Sequence, residues 1–366
     1  MRGEARPFGD DELAFTLKVM GAEVCISVTT LIGSEHTELI RLPTFDLEQL
    51  AGRLLTRFEA YCKDRSPVSL RGLADEGRKV FGNLVNRSVS DEKRRFLKKI
   101  ISTDEILDFS HAIYVFSPKT LHFPFGLLFL GDRQSVNESP ETLAKLFLGA
   151  RAIVVNVIDV GHPILSRRSE RQFPANHIIH CIRSCLSGIE IEKKALAAAH
   201  FVIHEAHTKE QFISEWNRNC ARVGLVHFSA EHAYSDVSQS FEIYFDDPQD
   251  PLLISDLYEQ LEDSDTQPLV FLNCCETGFF RSDMSESFVS AFARICGGLI
   301  ATLVKVDSEM AAEFAARFYK RVFGGDCLSE AIVFAKLDLV ELGDATGLCF
   351  EVWNINHRLT RLKGGV

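Results

Sequence analysis

The chain has 366 residues, of which 46% are hydrophobic and 25% charged. This is the composition of a globular protein with a full core and about two domains, not of a disordered, collagen-like or disulfide-scaffold chain. With 40 basic and 51 acidic residues the formal net charge is −11, which opposes a broad nucleic-acid-binding face.

Taken in chain order, Leu13 to Val19 and Val24 to Thr30 read as a hairpin joined across Gly21. Phe45 to Tyr61 is predicted helical, with Leu47, Leu50, Leu54, Leu55 and Phe58 on one stripe. Two more helices are expected over Arg71 to Val85 and Asp91 to Ile101, then a strand over His111 to Phe116. From Ala152 onward short apolar strands alternate with amphipathic helices. The strand candidates are Ala152 to Ile158, Phe201 to Ile203, Gly224 to Ala230, Pro268 to Asn273, Leu299 to Val306 and Cys349 to Trp353. Helices are expected over Glu190 to Ala199, Lys209 to Asn219, Glu286 to Cys296, Glu309 to Phe323 and Ser329 to Leu342, with Asp283-x-x-Glu286 as a capping box. Such alternation predicts an α/β fold with a largely parallel sheet covered on both faces. In that architecture the site lies beyond the carboxyl ends of the strands.

No apolar run approaches the ~18 residues of a membrane span. The opening Met1-Arg2-Gly3-Glu4 leads into acidic residues, not the apolar stretch of a secretory signal. A cytoplasmic location is expected, with the ten cysteines reduced.

Two strand ends carry reactive side chains. One reads Val226-His-Phe-Ser-Ala-Glu-His232, the other Val270-Phe-Leu-Asn-Cys-Cys275-Glu-Thr-Gly278. A histidine past one parallel strand and a cysteine past another can meet at the sheet edge. A free thiol has a pKa of ~8.5 and is mostly protonated at neutral pH, so a cysteine nucleophile needs such an imidazole partner. Alternation points Cys274 to the opposite face from Cys275, and His227 is expected to pack or hydrogen-bond within the sheet.

These segments resemble those of CHAT-type caspase-like cysteine peptidases. His227-Phe-Ser-Ala-Glu-His232 is similar to their H-F-x-x-x-H segment, and Leu272-Asn-Cys-Cys275-Glu-Thr-Gly278 to their L-x-x-C-E-T-G segment. Phe123-Pro-Phe-Gly-Leu-Leu128, Gly298 to Asp307, Phe318-Tyr319 and Leu328-Ser-Glu-Ala331 resemble further family elements in the same order. Ala233 stands where the family usually has glycine, Gly126 where it has glutamate, and Val304 where it has tryptophan.

The resemblance implies a caspase-like three-layer α/β/α fold. Residues 1–149 would form a non-catalytic amino-terminal half of mixed hairpin and helices, and residues 150–366 the catalytic half. It further implies a Cys275–His232 dyad, an oxyanion hole from the N–H groups of Ala233 and Cys275, and no cofactor or metal. Asn273 would line the primary specificity pocket together with Lys305; relatives that cut after a basic residue carry aspartate at these positions, so a neutral or acidic P1 is expected. The implied substrate is one dedicated partner protein, such as a gasdermin-like pore former or another effector. A sensor or activator protein would switch the enzyme on in a prokaryotic defence or cell-death pathway. The alternative is a catalytically weak CHAT-fold scaffold that binds partners without cleaving them.

Other patterns are weaker. His177-x-x-His180-Cys181-x-x-x-Cys185 offers zinc-ligand types, but on one helix its ends would lie ~12 Å apart, too far for one tetrahedral ion. The polar stretch Gly161 to Ser187 reads as a surface loop or an activation and self-processing loop. No G-x-G-x-x-G, G-K-[ST] or G-x-S-x-G occurs, so dinucleotide, P-loop and serine-hydrolase readings lack a motif.

Overall fold

A computed structural model describes residues 13–20, 22–30, 37–95, 112–118, 121–158, 172–173, 177–198, 201–236, 238, 240–262, 266–275, 277–278, 287–354 and 361–362. The first strands are β1 (Leu13–Met20), β2 (Glu23–Thr30), β3 (Thr37–Pro43), β4 (Ala112–Ser117) and β5 (Ile153–Ile158). They are followed by β6 (Gln172–Phe173), β7 (His177–Ile182), β8 (Val202–Ala206), β9 (Val223–Ser229) and β10 (Glu231–Ser235). The remainder are β11 (Ser240–Tyr244), β12 (Leu252–Leu253), β13 (Leu269–Asn273), β14 (Gly298–Thr302), β15 (Phe350–Trp353) and β16 (Arg361–Leu362).

Eleven of these strands form one sheet in the order β3-β2-β1-β4-β5-β15-β14-β13-β9-β7-β8. The pairs β1–β4, β4–β5, β5–β15, β14–β13, β13–β9, β9–β7 and β7–β8 are parallel. The hairpin strands β1, β2 and β3 pair antiparallel at one edge, and β14–β15 is antiparallel inside the sheet. The fold is thus the expected three-layer α/β/α with a largely parallel sheet. Pairing of β4 with β5 carries that sheet across residue 149.

Period-two alternation explains how both faces are buried. On β13, Leu269 and Phe271 belong to one core cluster, while Val270 and Leu272 belong to the other. The first face is covered by helices Ser308–Phe323, Leu328–Val340 and Ile189–Ala197, through residues such as Phe314, Phe318, Leu339 and Leu196. The second is covered by helices Lys209–Asn219 and Phe288–Ile295, through Phe212, Trp216 and Phe292. In the amino-terminal half, helix Thr44–Asp64 buries the predicted stripe at Leu47, Leu54 and Phe58. Helix Pro67–Asn86 starts earlier than expected because Pro67 takes its first turn and the Ser66 side chain accepts from Ser69 N–H at 3.1 Å.

Several sequence expectations need correction. The stretch containing His177 and His180 is a strand, β7, not a helix, and it lies within the span Gly161 to Ser187 expected as a loop. Ile178, Ile179, Cys181 and Ile182 are all buried there; the two histidines interrupt what would otherwise read as an apolar run. Residues 161–171 and 174–176 of that span, the turn at Gly21, the helix beyond residue 95 and the Asp283–Glu286 capping box lie outside the described residues. The helix beginning at Phe288 is capped instead by Ser287, whose side chain accepts from Ser290 N–H at 3.2 Å. After β9 the chain forms β10 and β11, which with β12 make a small separate sheet.

Candidate active site

The carboxyl ends of β9, β13 and β14 lie side by side, since Asn273 pairs with Ser229 and Leu272 with Ala301. At that edge a cavity of about 360 Å³ opens, and His232, Ala233, Asn273, Cys275 and Lys305 all line it. The structure therefore brings together every residue that the sequence singled out as catalytic, oxyanion-binding or specificity-determining.

The cysteine turn is held from β14. Thr302 donates its hydroxyl to the Cys274 carbonyl, Thr277 donates to the same oxygen at 3.1 Å, and Gly278 N–H donates to Thr302 O at 2.7 Å. A Cβ on Gly278 would sit 3.0 Å from Thr302 O, so a larger residue would require Thr302 to shift by a few tenths of an ångström. Parity then separates the neighbouring thiols. Cys274 is buried with its Sγ 3.7 Å from Phe228 O, and burial pushes its thiol well above the ordinary range. Cys275 is half-buried on the cavity wall, with its thiol directed to Val306 O at 3.7 Å. Beyond Val306, Asp307 caps helix Ser308–Phe323 by accepting from Glu309 N–H and Met310 N–H at 3.1 and 3.3 Å.

His232 is the second residue of β10, which begins one residue after Ala230. Its ring is 3% exposed, stacked on Phe241 with centroids 4.8 Å apart and edge-on to Phe288 at 5.8 Å. Its Nδ1 lies 2.8 Å from the Cys275 carbonyl oxygen. A carbonyl can only accept, so Nδ1 carries the proton and Nε2 the lone pair. Burial pulls the His232 pKa down to about 4, and the bond to Cys275 opposes that shift. The imidazole is therefore neutral at neutral pH. Ala233 lies in extended backbone, and the non-glycine residues with positive φ among those described are Arg65, Gln267 and Asn354. Alanine in place of glycine thus carries no backbone strain at this position. Gly126 and Val304, the other departures, are buried in the core.

Below the cavity, His180, His227 and Asn273, all noted in the sequence, join a buried polar network whose hub, Glu192, sequence reasoning missed. Alternation places His180, His227, Ser229 and Asn273 on the sheet face covered by helix Ile189–Ala197, and all meet Glu192 of that helix or its neighbours. Ser229 Oγ and Asn273 Nδ2 both donate to the Glu192 carboxylate. His227 Nε2 is 3.3 Å from Glu192 Oε1, His180 Nε2 is 2.8 Å from Ser229 Oγ, and Tyr319 OH is 2.7 Å from His227 Nδ1. Ligand atoms of His180, Glu192 and His227 lie within 4.8 Å of one another. Each Glu192 carboxylate oxygen accepts one side-chain donor, so the group is joined as a buried hydrogen-bonded network.

The CHAT domain family model matches residues 177–346. Among solved structures, the Arg-specific cysteine proteinase gingipain R of Porphyromonas gingivalis aligns with a TM-score of 0.50 and 8% identity, covering 76% of this chain and 70% of that one. The Saccharomyces cerevisiae separase of a separase–securin complex aligns with a TM-score of 0.54 and 11% identity, covering 96% of this chain but 30% of that one. No curated protein sequence matches the chain. At these identities the two structures establish the fold, a caspase-like α/β/α sandwich. The segment similar to the CHAT model contains β9, β13 and β14, at whose carboxyl ends the cavity opens.

Proposed function

We propose that the protein is a CHAT-type cysteine endopeptidase in which Cys275 is the nucleophile and His232 the general acid and base. The observation that carries this reading is the convergence of both residues on one cavity, with His232 Nδ1–H bonded to the Cys275 carbonyl at 2.8 Å. That bond selects the tautomer whose Nε2 accepts the thiol proton. The Cys275 sulfur then attacks a scissile peptide carbonyl, and the N–H groups of Ala233 and Cys275 hold the oxyanion, worth several kcal/mol when aligned. His232 passes its proton to the departing amine, leaving a thioester. It next takes a proton from water, whose oxygen attacks the thioester, and returns that proton to the Cys275 sulfur as the acid product leaves. Residues 150–366 form the catalytic half and residues 1–149 support it.

The substrate is one dedicated partner protein, such as a gasdermin-like effector, cut in the cytoplasm once a sensor or activator protein engages the enzyme in a defence or cell-death pathway. Asn273 and the exposed Lys305 line the cavity; a lysine there disfavours a cationic P1 side chain and favours a neutral or acidic one. A proteome-derived peptide library tests the reading. Cleavage after neutral or acidic residues that disappears in Cys275→Ala supports it. A library left intact by the wild-type protein under activating conditions, or cut equally by Cys275→Ala, overturns it.

A further inference from the structure

We infer that Glu192 is a positioning residue: its buried carboxylate ties together the two strands that deliver His232 and Cys275 and so sets the distance between them. The inference rests on the dyad reading above and names a residue outside the cavity lining.

The geometry is a two-armed bridge. One carboxylate oxygen accepts from Ser229, the last residue of β9 and three residues before His232. The other accepts from Asn273, the last residue of β13 and two residues before Cys275. The β9–β13 pairing ends at this pair. Glu192 bridges the two side chains there, and His232 Nδ1 bonds the Cys275 carbonyl beyond it. Glu192 is itself 2% exposed. His227 approaches at 3.3 Å and is oriented by Tyr319. The helix that carries Glu192 starts against helix Ser308–Phe323, where a Cβ on Gly188 would collide with Ser308 O. A carboxylate buried this deeply is held in one orientation by its donors. Misplacement of a nucleophile and its base by about 1 Å can slow a reaction roughly a hundredfold.

The test is the rate at which iodoacetamide alkylates Cys275 in the full chain near neutral pH, read by mass spectrometry with exposed Cys185 as the internal reference. His232→Ala establishes that Cys275 reactivity depends on the imidazole. Glu192→Leu is expected to slow Cys275 alkylation roughly ten- to a hundredfold, with Cys185 unchanged. Glu192→Gln should restore it to within about threefold, because the amide oxygen accepts from Asn273 while the amide nitrogen donates to Ser229. A purely structural role would not give this rescue. Ser229→Ala removes one arm only and should slow the reaction a few-fold; it decides the matter if Glu192→Leu fails to fold. A folded Glu192→Leu protein that reacts at the wild-type rate overturns the inference, as does Glu192→Gln falling as far as Glu192→Leu. If His232→Ala itself leaves Cys275 alkylation unchanged, the dyad reading has failed, and the bridge has nothing to position.

Discussion

Two buried carboxylates, Glu192 and Glu351, each meet a histidine and an asparagine, yet they serve the molecule differently because of where their partners sit. Glu351 lies on β15 in the middle of the sheet. It accepts from Asn156 Nδ2 of β5 at 2.9 Å and lies 2.9 Å from His122 Nε2. Lys336, fully buried on helix Leu328–Val340, is the nearby cation; burial pulls its ammonium down to about 8, and Glu351 opposes that shift. Asn156 and Lys336 lie within the body of the sheet and its covering helix, and His122 lies in the segment that follows β4. The donors to Glu192 lie at the carboxyl ends of β9 and β13, where the ladder stops and the cavity begins. The same donor chemistry therefore holds the body together in one region and sets site geometry in the other.

The sharpest way to break this contrast is Glu351→Gln. It removes the charge that opposes desolvation of the Lys336 ammonium and sets an amide against His122, and a buried polar group left poorly satisfied costs about 1–3 kcal/mol. Urea unfolding should show that loss, while the alkylation rate of Cys275 in the folded protein stays at the wild-type value. A slowed rate would mean that the two regions are not separable.

Next in size is the pH response of the site histidine. Burial holds His232 at about 4, below its ordinary 6.5. Between those values the unfolded chain binds a proton that the folded chain does not. Stability is thus full above pH 6.5 and falls as pH drops through the window, by about 2 kcal/mol at pH 5. His180, depressed by the same cause, adds to the slope. His232→Gln should flatten the difference between unfolding free energies at pH 7 and pH 5; an unaltered difference would show that the ring is hydrated in solution.

The neighbouring thiols come third. Cys274→Ala removes a fully packed side chain and should cost about 1 kcal/mol with peptide cleavage retained. Cys275→Ala, on the cavity wall, should leave the unfolding midpoint nearly unchanged and abolish cleavage. The reverse pattern would move the nucleophile by one residue. The smallest effect on stability belongs to Lys305→Asp. The side chain is exposed, so the unfolding midpoint should not move, while P1 preference in a peptide library shifts toward basic residues.

Much of the carboxyl half was legible because buried parallel strands read as short apolar runs. Pro268 to Asn273 and Gly224 to Ala230 became β13 and β9 within about a residue at each end. The ends of those runs held His232 and Cys275, so both could be named before any geometry was known. The strand β7 was not legible, since His177 and His180 break its apolar run and only the fold shows that His180 is paired inside the sheet. Glu192 carried no signal at all. In Glu190-Ile-Glu192-Lys-Lys it looks like the solvated face of a helix, and its partners Ser229 and Asn273 are 37 and 81 residues away. Thr302 left a fainter mark, a hydroxyl at the end of the apolar strand Gly298–Thr302, whose purpose appears only once the Cys274 carbonyl lies beside it.

The central claim is a reactive Cys275 that depends on His232. The most direct measurement is labelling of the intact protein with a peptidyl electrophile that alkylates protease nucleophiles, followed by mass spectrometry across all ten cysteines. The account predicts selective modification of Cys275, none at Cys274, and loss of that selectivity in His232→Ala. Modification of exposed Cys185 at least as fast as Cys275, or a Cys275 rate indifferent to His232→Ala, would contradict it.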